Sequence, residues 1–398
     1  MADLLIRAGA SDASLIERVL GGSPGLRPGR IVVDAHVAAS TPRIAQAARA
    51  AGVPFIVDPQ THHLQDVQHP GDPWARLPYA TPAASTPADL LSRARLDKVV
   101  AEATEHQIAH GATVIIAPYV HIERHDDSWT QVQVRLWQAT RRYLDLQGLR
   151  LPIIPVIALG WRLLDRPTWP EVLHPLRRSL GDLAPNEVAV AASRVDAGAR
   201  PQDRLASFTA VIRRLARQFP VIAWQQGTLG EAAVAAGASG YECGIGWRER
   251  CDLRTAMGAH RHASTGGIAR PVYVATLKRG VPKASVRLLL ENHRIAAGLI
   301  CLRTSCCPDG RRNLLEDARE HAIRARLRGL HDLTLPAQPA WRWNLLSSDA
   351  TVGLKLAARI NALAERTPGL HRVDLSAMNA TLALAEHHRQ SLRRHRAA

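Results

Sequence analysis

The sequence predicts a (β/α)₈ barrel followed by a basic, mostly helical C-terminal extension. Eight short apolar runs recur at roughly regular spacing within the first 245 residues, and helix-like segments separate them. Short strands that are apolar on both faces are typical of a parallel sheet covered by helices. The length of 398 residues also fits a barrel of about 250 residues with an appended part.

The predicted strands lie at 4–8, 31–35, 55–58, 113–118, 153–159, 188–192, 221–224 and 240–243. Helices are predicted between them, at 41–51, 88–110, 127–147, 201–218 and 230–236, and several begin with a capping residue or a proline. Eight alternations favour a closed barrel over the alternative, a doubly wound open sheet. No Gly-x-Gly-x-x-Gly follows an early strand, which disfavours a dinucleotide-binding fold.

The alternation of predicted strands and helices ends at about residue 265, and the balance of charges changes there as well. Lys and Arg balance Asp and Glu over residues 1–160, at 15 against 15, and the counts become 14 against 10 over 161–265. In the extension, 266–398, they are 22 against 10, and helices are predicted near 284–298, 310–330, 350–366 and 375–395. This excess favours a phosphate-contacting surface, and the alternative is a solvated, arginine-rich helical face.

Composition excludes several classes of protein. No run of about 18 apolar residues is present, so we expect no membrane span. The N-terminal residues lack a secretion pattern, and five cysteines, an odd number, do not form a secreted disulfide framework. We therefore expect a cytoplasmic protein.

Polar residues follow the predicted strands, where barrel enzymes keep their active sites. Two carboxylates, Asp58 and Glu242, stand at such ends and are suited to divide nucleophilic and acid–base work. A metal centre at the same rim is the competing hypothesis, with His36, His62, His63 and His121 joined by Asp34 or Asp58. The other polar residues at strand ends are Gln60, Tyr119, Arg194, Asp196, Gln225 and Gln226.

Three cysteines lie within seven residues of the extension. Cys301, Cys306 and Cys307, with His321 on the following predicted helix, offer three thiolates and an imidazole for a tetrahedral structural zinc. The alternative is a set of ordinary buried thiols. Cys243 and Cys251 are expected to be core or loop residues.

Residues 54–325 resemble the tRNA-guanine transglycosylases in the order and position of their motifs. AWQQGTLGEAAVAAGASGYECGIGWRER (223–250) resembles the segment around that family's nucleophile, with Glu242 at the nucleophile's position. The segment IVDPQ lies where the family has a strand that ends in an aspartate, which makes Asp58 the counterpart of that aspartate. The segment PVIALGWRLLDR (155–166) resembles the strand that leads to the family's base-recognition turn, of which it keeps only Gly160. VAVAASRVDAGA (188–199) resembles the glycine-rich sixth strand, and the four Cys and His residues correspond to the family's zinc site.

The chain departs from the family at three places. Glu242 replaces an aspartate, Pro-Gln-Thr follows Asp58 where the family has Ser-Gly-Gly, and the cysteine pattern is Cys-x4-Cys-Cys rather than Cys-x-Cys-x-x-Cys. The resemblance is to a divergent branch of the family, and the branch that acts on DNA with 7-deazaguanine is one candidate.

The resemblance implies a base-exchange reaction on DNA or tRNA. Glu242 would attack the anomeric carbon and displace guanine, and Asp58 would act as acid and base while a 7-deazaguanine enters. The expected substrate-binding residues are Gln60, Tyr119, Gly160, Asp196, Gln226 and Tyr241; Trp161 and Trp247 are further stacking candidates, and Arg248, Arg250 and Arg254 would hold phosphates.

Two other functions stay open at this point. One is a non-catalytic nucleic-acid-binding barrel that serves as a subunit of a larger assembly. The other is a metal-dependent small-molecule barrel enzyme whose basic extension is structural. Homo-oligomerisation is compatible with each of them.

Overall fold

A computed structural model describes residues 2–22, 27–125, 127–254, 270–301, 303 and 306–397, with side chains up to residue 390. Eight parallel strands form a closed barrel, which confirms the predicted fold class. All eight predicted strands are confirmed to within a residue or two. Their bounds are β1 Asp3–Ala8, β2 Arg30–Asp34, β3 Phe55–Asp58, β4 Val114–Ala117, β6 Ile153–Leu159, β7 Val188–Ala192, β8 Val221–Trp224 and β9 Gly240–Cys243, with a short extra strand, β5 His121–Ile122, beside β6.

Two strand pairings close the barrel. β1 lies between β2 and β9, with Leu5 opposite both Arg30 and Glu242. At the opposite side β4 pairs with β6 through Ile115 and Ile153. No strand of the barrel is left with an unpaired edge, so the doubly wound alternative is wrong.

Alternation along each strand separates two apolar layers. Side chains such as Leu5, Val32 and Ile56 fill the barrel interior, whereas Leu4 and Ile6 face the surrounding helices. Residues two positions beyond an interior residue also point inward. This periodicity directs Arg7, Asp34 and Asp58 into the carboxyl end of the barrel.

The barrel helices match the predictions, with one break that was not predicted. The segment 88–110 forms two helices separated at Ser92, and the first of them is capped by a reciprocal Thr86–Asp89 pair. The helices are α1 Ala13–Gly21, α2 Ala35–Ser40, α3 Pro42–Ala50, α4 Pro87–Leu91, α5 Arg93–Ala109, α6 Trp129–Leu146, α7 Trp161–Leu164, α8 Trp169–Leu183, α9 Pro201–Leu215 and α10 Gly230–Ala235.

The C-terminal region begins with an antiparallel hairpin, β10 Val272–Val274 and β11 Arg279–Val281. Six helices follow: α11 Lys283–Leu289, α12 His293–Leu299, α13 Arg311–Leu315, α14 Ala318–Thr334, α15 Pro339–Ala364 and α16 Ser376–Ala397. The predicted boundary at 265/266 lies outside the described residues and stays a prediction. None of the helices in the described ranges is long and apolar enough to cross a bilayer.

Candidate functional site

A buried arginine occupies the centre of the barrel's carboxyl end. The Arg7 guanidinium pairs with Asp34 through Nη1 and with Glu242 through Nε, and its Nη2 donates to Asp58 Oδ2 at 2.8 Å and to Glu242 Oε2 at 3.1 Å. All four side chains are almost fully buried. We call Asp34, Asp58 and Glu242 with Arg7 the carboxylate cluster.

Asp58 and Glu242 accept further hydrogen bonds from groups other than Arg7. Asp58 accepts hydrogen bonds from the Gln60 backbone at 3.0 Å, the Tyr119 hydroxyl at 3.1 Å and the Trp224 indole at 3.3 Å. Glu242 accepts from the Gln225 backbone at 3.3 Å. Because Asp58 Oδ2 and Glu242 Oε2 share one Arg7 nitrogen, at 2.8 and 3.1 Å, these two oxygens lie no more than about 6 Å apart.

The cluster carries unequal pKa shifts. Burial raises the pKa of Glu242, and Arg7 offsets this only in part. Burial also opposes ionisation of Asp34, but Arg248 and Arg7 outweigh it and hold the pKa of Asp34 well below its usual range. Asp34 is therefore a permanent anion, while Glu242 binds a proton more readily than a free glutamate does.

Arg7 was not among the predicted site residues, although the sequence contains a signal for it. In the run LLIRA, one cation interrupts a strand that is otherwise apolar, two residues after an inward-facing leucine. A buried arginine requires anionic partners, and the neighbouring strands end in Asp34, Asp58 and Glu242. The polar strand ends could thus have been assigned to one cluster.

Strained backbone surrounds the cluster. Six non-glycine residues in the described ranges have positive φ, and four of them lie within five residues after the end of a barrel strand: Gln60 (50°), Arg194 (55°), Gln225 (56°) and Arg248 (56°). The backbone N–H groups of Gln60 and Gln225 are the ones that bind Asp58 and Glu242. Left-handed non-glycine residues are costly and concentrate at functional sites, so this distribution indicates that the carboxyl rim is the functional end.

Several buried polar atoms near the cluster have no hydrogen-bond partner among the described residues. They include Gln60 Oε1, Gln225 Nε2, both ring nitrogens of His62 and Nε2 of His121. Buried polar groups in proteins are normally satisfied. These atoms therefore have hydrogen-bonding capacity that a substrate or solvent molecule can use.

The rim histidines stack rather than converge on a metal. The rings of Tyr119, His62, His63 and Trp74 form a continuous column with successive centroid distances of 5.3, 4.1 and 4.4 Å. Burial holds the pKa of His62 well below its usual value and lowers those of His63 and His121 to about 3. Within the described ranges no three ligand groups meet at this rim, so the four predicted histidines do not converge on one point, and no more than two of them could share an ion.

The structure brings Gln60 and Tyr119 to the cluster but not every predicted substrate-binding residue. Tyr241 points out of the barrel, because it alternates with the inward-facing Glu242, and its ring packs in the outer core against Gly230. Gln226 donates its side-chain amide to the Ala192 carbonyl at 2.8 Å. At Gly160, a Cβ atom would lie 2.2 Å from Glu123. Gln226 and Gly160 thus contribute to the rim's packing.

The proposed phosphate-binding arginines all take part in ion pairs. Arg248 pairs with Asp34, and Arg254 lies 3.7 Å from Asp66. Arg250 joins Asp196 of the rim, at 2.7 Å, to Asp374 of the C-terminal region. Their side chains are still 42–50% exposed, so each keeps a face toward solvent. Of the stacking candidates, Trp247 is exposed, and Trp161 is covered by the guanidinium groups of Arg162 and Arg204 at 4.8 and 4.5 Å.

The second candidate site is the Cys/His cluster of the extension. The ligand atoms of Cys301, Cys306, Cys307 and His321 all lie within 4.8 Å of one another. The sulfurs of Cys306 and Cys307 are 3.7 Å apart, and His321 Nδ1 lies 3.5 Å from Cys306 Sγ. A tetrahedral ion with bonds of about 2.3 Å to sulfur holds its sulfur ligands about 3.8 Å apart. The four side chains thus form a candidate metal site.

The imidazole of this cluster is oriented from behind. His321 Nε2 lies 3.0 Å from the Tyr273 carbonyl of β10, the distance of a hydrogen bond that leaves Nδ1 facing the three sulfurs. Such a contact to the second nitrogen fixes the tautomer that binds a metal. Of the other two cysteines, Cys243 is packed in the outer core and Cys251 against the barrel interior, as the sequence predicts.

No family model matches this chain, and no curated protein matches it. Among solved structures, a 2,3-dimethylmalate lyase, described as a PEP mutase/isocitrate lyase superfamily member, is 12% identical over 66% of this chain and 80% of its own, with a TM-score of 0.35. The 3-dehydroquinate dehydratase from Aquifex aeolicus is 10% identical over 66% and 99%, with a TM-score of 0.31. Xylanase B from Clostridium stercorarium is 11% identical over 61% and 86%, with a TM-score of 0.34. We infer nothing about the reaction from these low similarities.

Proposed function

We propose that this chain is a barrel enzyme that transfers a glycosyl group at the carboxyl rim, with Asp58 and Glu242 as its two acting carboxylates. The observation that carries the proposal is their proximity, because both bind one Arg7 nitrogen and their oxygens lie no more than about 6 Å apart. Carboxyl groups about 5–5.5 Å apart are typical of glycosyl transfer through a covalent intermediate.

The charge of the cluster supports this reaction class. Three carboxylates face two guanidinium groups, those of Arg7 and Arg248, so the cluster is neutral while Asp58 holds a proton and carries one negative charge once Asp58 has lost it. Transition states of glycosyl transfer develop positive charge on the sugar ring. The negative charge that appears as Asp58 gives up its proton would stabilise that positive charge more than it stabilises the neutral sugar.

In the proposed reaction, a Glu242 oxygen forms a bond to the anomeric carbon while the bond from that carbon to the departing base breaks. Asp58 in its acid form gives the leaving base a proton. The incoming base then attacks the same carbon, gives its proton to Asp58 and releases Glu242. The motif resemblance implies that guanine leaves and a 7-deazaguanine enters, and the excess of arginine after residue 266 is suited to a DNA or tRNA substrate.

The test is incorporation of a labelled 7-deazaguanine base into DNA or tRNA by the full-length protein. Glu242→Gln and Asp58→Asn should each abolish incorporation, and Glu231→Gln, at an acid away from the cluster, should not. Unchanged incorporation by Glu242→Gln would show that Glu242 is not the nucleophile. Salt-sensitive binding of nucleic acid without any base release by the wild-type protein would favour the non-catalytic alternative.

The second candidate is a metal-dependent reaction on a small molecule at the same rim. Its supporting observation is that both ring nitrogens of His62 and Nε2 of His121 lack partners among the described residues, and burial keeps these imidazoles neutral, the form that binds metals. Loss of a bound metal in His62→Ala, with retention in Cys306→Ser, would support this candidate. If His62→Ala retains the bound metal, this candidate function is wrong.

For the Cys/His cluster we propose a structural zinc ion. Three thiolates and one imidazole are a ligand set that selects zinc, and four protein ligands leave no open position. Elemental analysis should find one zinc per chain, which Cys306→Ser removes and Cys251→Ser, at the buried barrel cysteine, retains. Equal zinc content in both variants would contradict the assignment.

A further inference from the structure

An apolar stripe is exposed on one side of α15. Trp341, Leu345 and Val352, spaced four and seven residues apart, share this side and are 58%, 39% and 53% exposed. Leu335, in the turn before α15, is 65% exposed. Half of the eight large apolar side chains exposed in the described ranges thus fall within 18 residues. Such clustering is unusual on the surface of a monomer.

A groove lies beside this stripe, between α14 and α15. Its cavity measures about 380 Å³, and Leu333, Leu345 and Val352 contribute its apolar lining. Its other side is polar and includes Arg303 and Asp332, together with Cys301 and Cys306 of the Cys/His cluster. One molecule therefore presents both an exposed indole, at the start of α15, and a groove with one apolar side three turns further along the same helix.

A two-fold axis can join these features. In an antiparallel pairing of α15 with its copy about a point between Leu346 and Ser347, Trp341 faces the Val352 position of the other helix. The same operation places both indoles against grooves, because an isologous contact repeats every pairing twice. We propose that two copies of this chain associate through the α15 face, each Trp341 filling the groove of the other copy.

The charges around the stripe favour a second copy over a polyanion. Asp332 pairs with Arg303 at 2.6 Å and with Arg328 at 3.1 Å, and Asp349 pairs with Lys278 at 3.2 Å. The cations closest to the groove are thus matched by acids of the same chain. A nucleic-acid surface requires cations in excess, whereas an apolar centre with a balanced polar rim is typical of protein interfaces, with Trp as a frequent anchor.

The proposal is tested by the mass of the protein in solution, independently of any reaction at the rim. Sedimentation velocity of the full-length protein across micromolar concentrations should give a dimer. Val352→Arg, which places a charge in the groove, and Trp341→Ser should each raise the dimer dissociation constant at least tenfold. The matched control is Leu146→Arg, at an 84% exposed leucine on the end of α6, which should leave the dimer intact.

Circular dichroism and melting temperature should show that each variant is folded. Deuterium exchange of the peptide covering 339–355 should slow as protein concentration rises in the wild type and in Leu146→Arg, but not in Val352→Arg. A wild-type protein that is monomeric at every concentration would overturn the proposal, as would a dimer that Val352→Arg and Trp341→Ser leave unchanged. A monomer that loses nucleic-acid binding through Trp341→Ser would instead assign the stripe to a polyanion.

Discussion

At the scale of single residues, Arg7 neutralises carboxylates that could not otherwise remain ionised inside the barrel. Its guanidinium reaches side chains from three other strands, and their charges raise the pKa of Arg7 above its ordinary value despite its burial. A buried ion pair contributes little net stability compared with an apolar replacement of both partners, but removing one partner leaves an uncompensated charge. Arg7 thus offsets in part the burial of Glu242 and, together with Arg248, the burial of Asp34.

We predict that Arg7→Met lowers the free energy of unfolding by about 3–5 kcal/mol at neutral pH. Without the cation, the pKa of Glu242, which burial already raises, rises further in the folded state. Folded protein then binds more protons than unfolded protein, so the deficit grows as pH rises above the ordinary carboxyl pKa of about 4. Urea unfolding at pH 5 and pH 8 measures this, and Arg43→Met, at an exposed ion pair with Glu17, is the control. A deficit that does not depend on pH would contradict the assignment.

The buried histidines predict an acid-sensitive fold. His63 and His121 have pKa values of about 3 in the folded state, below the unfolded value of about 6.5. The unfolded chain therefore binds protons first, and stability falls as pH decreases from about 6.5 toward 3.

For His121→Asn we predict a smaller loss of stability between pH 6.5 and pH 4 than in the wild type. His174→Asn, at an exposed position on α8, should leave the pH dependence unchanged. Thermal melting across this range provides the measurement. Parallel pH profiles for His121→Asn and the wild type would show that His121 does not contribute to it.

Individual site residues differ in how far their position could be predicted from the sequence. Asp58 and Glu242 could be placed at one rim because each ends a predicted strand. Tyr241 could not be excluded in the same way, since its direction depends on which member of the Tyr241–Glu242 pair faces inward. The ion pairs of Arg248 and Arg250 join segments that are distant in the sequence, and only the folded chain reveals them.

At the scale of elements, two helical glycines predict opposite responses to alanine. Gly181 of α8 has open space where a Cβ would stand, so Gly181→Ala should stabilise the protein by up to about 1 kcal/mol through helix propensity. At Gly353 of α15, a Cβ would lie 2.7 Å from the Thr276 carbonyl and 2.9 Å from Met378 Sδ. Gly353→Ala should therefore lower the melting temperature despite the same gain in propensity. Stabilisation by both substitutions would contradict the tight packing of α15.

Strand positions were predictable because a buried parallel strand is apolar on both faces and polar residues interrupt the run at its end. Helix ends were less predictable. The predicted helix 88–110 breaks at Ser92, where the backbone is extended, and the predicted helix 350–366 begins eleven residues earlier, at Pro339. The segment 341–350 has few charges, and its apolar residues are compatible with either a helix or a loop. The sequence alone therefore did not place it in a helix. Packing of α15 against α16 and the β10–β11 turn decides its conformation.

At the scale of the whole molecule, the C-terminal region is held to the barrel by ion pairs as well as by apolar packing. Arg319 of α14 lies 2.9 Å from Asp12 of the loop after β1, and Arg250 binds Asp374 before α16. Such pairs at two edges of the barrel fix the Cys/His cluster relative to the carboxylate cluster. A substrate held by the extension would therefore meet the rim in a defined orientation.

The central connection is Arg326, a buried side chain that α14 inserts between two barrel loops. Its Nη1 donates to the Gly227 carbonyl at 2.6 Å, Nη2 pairs with Glu249, and the guanidinium lies 4.1 Å from the centre of the Tyr273 ring. We predict that Arg326→Met lowers the free energy of unfolding by about 3–5 kcal/mol, because it leaves the carboxylate of Glu249, only 14% exposed, without its cation. We further expect it to divide one calorimetric unfolding transition into two, as the extension loses its main connection to the barrel. Arg328→Met, at a 44% exposed arginine paired within α14, should keep a single transition. A single transition in Arg326→Met would show that other contacts couple the barrel and the extension. Two transitions in the wild-type protein would show that Arg326 does not couple them.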